Sequence, residues 1–272
     1  MDPKVDVSDM VRYLSLERLT TFHNMTGSHY EAIKLHQQTL RFGASLMTVM
    51  AVIEIALRNA ICDRLDAHFG GAWLLHPPAP FQWEASEKNK INEAHKHARR
   101  SMYAKMNQAQ KRALASQAYP QGLPPVDQTP GRHLRIVAAA QKQIVVSVGQ
   151  IVSQLTLFFW KRLYSKDYDQ VLWKSLKLIF PDKSLKRADI AAQLEILYQN
   201  RNRIAHHEPI YGRRLIETMS AIDFFVKHFD GVTAEGAPKL VSLLEDDIAQ
   251  LKSNAEALKS AIASFQVVGE IA

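Results

Sequence analysis

Apolar positions recur three and four residues apart along most of this chain, and the short alternating runs bounded by turn residues that mark strands and hairpins are missing. The pattern predicts an all-α fold. Ser28-His29-Tyr30-Glu31 has the form of a capping box and opens a long helix. Gly43 is a candidate break within it, and Gly70-Gly71 a stop. Met47, Met50, Ile53, Leu57 and Ile61 form its apolar stripe. A polar helix is expected over about 84–118, followed at 119–131 by a loop rich in proline and glycine. Helical pattern resumes at Arg132 and reaches Tyr164, and Asp167 is expected to cap a helix ending near Phe180-Pro181. Three helices complete the chain: one running into Arg201–His207, one after Pro209, and a C-terminal one over 236–265. The last has apolar residues near heptad spacing, suited to pairing with another chain.

The proline-rich loop has apolar helices on both sides that need a common partner. It is therefore read as an insertion within a single domain covering 1–272. Phe42–Ile53 and Ile144–Trp160 are the most apolar stretches, of 12 and 17 residues. Both fall short of the roughly 20 apolar residues of a membrane span and are read as buried core helices. The first ten residues are polar and acidic, unlike a secretory signal. The single cysteine, Cys62, excludes a disulfide framework within the chain. A cytoplasmic protein with no membrane partner is expected.

Charge is concentrated in one place. Between Gln82 and Lys142 lie 11 Lys or Arg and 4 Asp or Glu, which accounts for the whole net charge of +7. A basic region of this kind suits a polyanion, and Arg99 and Arg100 are its candidate RNA contacts. A solvated helix face carries the same pattern.

The chemistry is sought in RNRIAHHEP. Ile190, Leu194, Leu197, Arg201 and Ile204 fall four, three, four and three residues apart, so Arg201 interrupts an apolar stripe. Tyr198, Asn202 and His206 form a second line along the helix. Pro209 disfavours helical geometry at Glu208, so the helix should loosen near His206-His207. Histidine exchanges protons near neutral pH, and arginine offers a fixed positive fork matched to phosphate oxygens. Together they suit cleavage of RNA. A base takes the 2′-hydroxyl proton, an acid protonates the leaving oxygen, and the guanidinium stabilises charge on phosphorus. No metal or other cofactor is expected, since Asp182, Asp189 and Glu195 do not read as a carboxylate cluster. On a straight helix Arg201 and His206 point about 140° apart. Either the last turn is distorted or a second copy of the chain completes the site. The alternative is structural, with both residues capping carbonyls and pairing with acids.

RNRIAHHEPIY resembles the signature of the HEPN superfamily, an arginine and a histidine four to six residues apart. The form RNxxxHHxP followed by Tyr211 is similar to its Abi-like, abortive-infection branch. LSLERLTTFHNM, MAVIEIALRNAI, FGGAWLL and FFWKRLYSKDYDQVLWKSLKLIFP extend the likeness over roughly Leu14 to Tyr211. The resemblance implies a helical bundle, homodimerisation, metal-independent endoribonuclease activity, and a role in phage defence or toxin–antitoxin systems, with an antitoxin or regulatory protein as partner. Carried over by position, Arg201 and His206 match the catalytic pair and Asn202 the residue beside the arginine. His207 matches a second histidine of the branch, and Arg203 in the same motif is a candidate RNA contact. Glu54 and Arg58 lie in the matching EIALRN helix, facing the site or forming an i, i+4 ion pair. The basic segment 84–118 is longer than the family leads one to expect. A non-catalytic RNA-binding module and a helical protein-interaction protein are the competing readings.

Overall fold

A computed structural model describes residues 7–123, 131–232, 236 and 238–269. The helices are α1 (Val7–Leu14), α2 (Leu16–Thr26), α3 (His29–Phe69), α4 (Ala85–Lys105), α5 (Gln108–Ala118), α6 (Arg132–Lys142), α7 (Val148–Val152), α8 (Leu157–Arg162), α9 (Asp169–Leu176), α10 (Arg187–Ala205), α11 (Gly212–His228) and α12 (Lys239–Gly269). Among the described residues there is no strand, only an isolated bridge between Val232 and Pro238. The fold is all-α, as the apolar periodicity predicts.

The chain divides into two compact units, where a single domain was expected. One comprises 1–61 and 164–272, the other 62–163. The boundary falls inside α3, between Ile61 and Cys62, where a continuous helix offers no punctuation to read. The proline-rich loop lies within the second unit, and 124–130 of it is outside the described residues.

In the first unit, α3 passes through Gly43 without a break. The glycine is buried, and a Cβ built on it would lie 3.5 Å from Ile204 Cγ2 of α10. That is ordinary van der Waals contact, so the helices meet here with room for a methyl group. By length and composition α3 is apolar enough to cross a membrane, but Phe42, Leu46, Val49, Ile53 and Leu57 are buried within the fold. Only half of the expected capping box forms at its start. Glu31 N–H donates to Ser28 Oγ at 3.5 Å, while the Glu31 carboxylate pairs with Lys34 and the Ser28 N–H donates to Thr26 Oγ1. Asp167 does not cap α9 but sits in a 3-10 turn, Lys166–Tyr168, before it.

α10 packs on α11 and α11 on α12, which also meets α2. Leu244, Leu251 and Leu258 of α12 are at most 1% exposed. The seven-residue repeat of these leucines is thus buried inside the chain, while Leu243 of the same helix is 67% exposed.

In the second unit Trp83 is the centre of an aromatic cluster with Trp73, Phe81 and Phe159, at ring separations of 5.9, 4.6 and 5.4 Å. Glu87 is fully buried and accepts from Arg162 Nε at 2.9 Å and from Ser86 Oγ at 2.7 Å, the partners a buried carboxylate requires. The expected helix over 84–118 is two helices. Asn107 and Gln110 form a complete capping box that starts α5 afresh. Ser147 and Gln150 do the same for α7, which splits the apolar stretch 144–160 into two short helices. Lys88, Lys90, Lys96, Arg100, Lys105 and Arg112 are exposed, whereas Arg99 is half-buried and donates to the Ile144 carbonyl at 3.1 Å.

Gly43→Ala is expected to raise stability by about 0.5–1 kcal/mol, because 3.5 Å is ordinary contact and alanine removes the helix penalty of glycine. Gly43→Leu should lower it by displacing Ile204. Chemical denaturation of the two variants checks both signs.

Candidate functional site at the end of α10

Ile190, Leu194 and Leu197 are buried and fix the face that α10 presents to the core. Arg201, next on that stripe, is half-buried. Its guanidinium has no hydrogen bond or ion pair with any described side chain. Asn202 is half-buried and His206 exposed, and their side chains are likewise unengaged among the described residues. A fixed cation and an imidazole therefore stand at one helix end with their polar groups uncommitted.

The way α10 stops determines where they point. His206 is the C-cap, with φ −96° and ψ 12°. His207 takes φ +57°, the left-handed conformation that glycine usually supplies. The His207 N–H donates to the Ile204 carbonyl at 2.9 Å and the Glu208 N–H to the Arg203 carbonyl at 2.8 Å. This is a Schellman closure with histidine at its left-handed position. The backbone reverses one residue after His206. On a regular helix residues 201 and 206 stand about 140° apart.

Arg203, a candidate RNA contact, has its Nη2 2.9 Å from Glu208 Oε2, tying the last turn to the residue that follows it. Glu54 and Arg58 are half-buried one turn apart on α3, and Arg58 Nε donates to Asn59 Oδ1 at 3.3 Å. Arg99 and Arg100 belong to the other unit.

Two side chains that the sequence did not single out border the same helix end. Arg18 of α2 donates from Nη1 to the His207 carbonyl at 2.9 Å. His36 of α3 is 2% exposed. Burial, and then the nearby Arg18 charge, hold its pKa below the usual histidine value, so its ring is neutral at physiological pH. A cavity of about 450 Å³ is lined by these two residues with Tyr13, Ser15, Leu40 and His207. His207 also lines a second, mostly apolar cavity of about 470 Å³ that includes Gly43, Met47, Ile204 and Pro209. Nothing in local spacing links Arg18 to His207, which is 189 residues away.

The acids near the motif are each engaged locally. Asp182 accepts from Ser184, Asp189 from the Lys186 N–H, and Glu195 from Gln199. Among the described residues, no group of three or more His, Cys, Asp or Glu is gathered closely enough to hold a metal ion.

Replacing His207 tests the closure. His207→Gly is expected to leave stability unchanged or raise it by up to about 1 kcal/mol, since glycine adopts the left-handed conformation without cost. His207→Val should lower it by about 1–2 kcal/mol. Urea denaturation of both variants reads the difference.

Compared with family models, curated proteins and solved structures, the chain matches none.

Proposed function

We propose that this protein is an endoribonuclease that cleaves RNA without a metal ion, using Arg201 and His206. The observation that carries the reading is the uncommitted pair itself, a half-buried guanidinium and an exposed imidazole at a helix end, with Asn202 between them. His206 moves the proton of the reacting hydroxyl or of the leaving oxygen, and Arg201 stabilises charge on the phosphate as the bond to phosphorus forms. Asn202 orients the imidazole or the ribose. The resemblance of RNRIAHHEPIY to the HEPN signature supports the same assignment and gives the protein the role of a growth-arresting effector in phage defence or a toxin–antitoxin pair.

The offset of about 140° that a regular helix puts between residues 201 and 206 bears on assembly. It supports a shared site, in which two copies of the chain join their α10 ends and each composite site takes one residue from each. Homodimerisation is then part of catalysis.

Arg201→Ala and His206→Ala are each expected to reduce cleavage by about 10²–10⁴-fold while RNA affinity changes little. Mixing the two inactive variants should restore part of the activity, because a heterodimer holds one intact composite site. Failure to complement, with both variants dimeric by light scattering, would contradict the shared site. Wild-type protein that binds RNA and cleaves none would contradict the enzyme and leave a binding module.

A further inference from the structure

We propose that the cavity bordered by Tyr13, Ser15, Arg18, His36 and His207 is a subsite for one nucleotide of the RNA strand, with its phosphate on Arg18 and its base against Tyr13. It rests on the reading above for its place beside the cleaved bond, because His207 adjoins His206.

Three observations converge on a ligand. Both ring nitrogens of His36 are buried and without a hydrogen-bond partner. Its ring is held edge-on by Phe22 at 6.1 Å. Buried polar atoms are nearly always satisfied, and one imidazole with two orphaned nitrogens on a cavity wall calls for a guest that both accepts and donates. A base edge does both. Arg18 is committed to protein through a single N–H, to the His207 carbonyl. The rest of its fork faces no described partner and suits a phosphate. Tyr13 is 76% exposed; the Arg12 guanidinium lies 5.2 Å over its ring, and the remaining exposed surface of the ring is offered to a base.

The backbone agrees. Ser15 has φ +68° and His207 φ +57°, and both of these non-glycine residues line this cavity. Left-handed conformations outside glycine gather at ligand sites, where the surroundings hold them in place. A volume of about 450 Å³ is larger than an inorganic phosphate needs and suits a nucleotide.

An adenosine tetranucleotide with 2′-O-methyl riboses cannot be cleaved by attack of a 2′-hydroxyl, so its binding is read independently of catalysis. Titration calorimetry should show it binding to wild type. Arg18→Gln should weaken it about tenfold or more, Tyr13→Ala and His36→Phe several-fold, and His206→Ala little. Arg18→Gln also loses the bond to His207, so melting is compared, while Tyr13 is exposed enough for its variant to fold regardless. Unchanged affinity in folded Arg18→Gln and Tyr13→Ala overturns the proposal. So does Arg18-dependent binding of adenosine 5′-monophosphate without binding of the oligonucleotide, which makes the occupant a free nucleotide. Arg18-dependent oligonucleotide binding by a wild-type protein that cleaves no RNA supports the subsite and counts against the nuclease alone.

Discussion

Two backbone hydrogen bonds close α10, from His207 to the Ile204 carbonyl and from Glu208 to the Arg203 carbonyl. The candidate site depends on that closure. It forces His207 into the left-handed region, exposes His206 at the C-cap, and turns the His207 carbonyl toward Arg18. The Arg203–Glu208 ion pair spans the same turn and holds it from the side-chain side. Pro209 cannot continue the helix, and the chain then starts α11 at Gly212. A histidine where glycine is ordinarily preferred trades local backbone comfort for an imidazole at a chosen place. That exchange is characteristic of a functional turn.

Packing supplies the rigid frame for that turn. Ile204 sits against Gly43, so the last turn of α10 lies close to α3 with no Cβ between them. The apolar stripe of α10 and the buried leucines of α12 absorb the hydrophobic surface of the helices around it. At the helix end the side chains of Arg201, Asn202 and His206 have no partner among the described residues, which is the condition for a group to act on a substrate instead of on its own fold.

The sequence was legible where one physical signal ran on without interruption. The apolar periodicity of α3, α10, α11 and α12 gives the helices, and Pro209 gives the end of α10. It misled where a short signal overrides a long one. Asn107-x-x-Gln110 and Ser147-x-x-Gln150 each satisfy two orphaned groups reciprocally and restart a helix inside a pattern that reads as continuous. The heptad of α12 says that a stripe is buried but not against what, and it is buried within the chain. Of the candidate site, the sequence offers Arg201, Asn202, Arg203 and His206 by residue type and spacing, but not the Arg203–Glu208 ion pair, which depends on the turn between them. Arg18 and His36 carry no local signal, because tertiary folding alone brings them to His207.

The proposed attack by a 2′-hydroxyl, with its proton removed and the 5′ oxygen protonated as it leaves, would fix the chemistry of the ends. The measurement that tests this most directly is the analysis of products formed from total RNA and tRNA in the presence of EDTA. Fragments ending in a 2′,3′-cyclic phosphate and beginning with a 5′-hydroxyl are expected. Fragments with 5′-phosphate and 3′-hydroxyl ends, or cleavage abolished by EDTA and restored by a divalent cation, would contradict the assignment of Arg201 and His206 as the reacting pair.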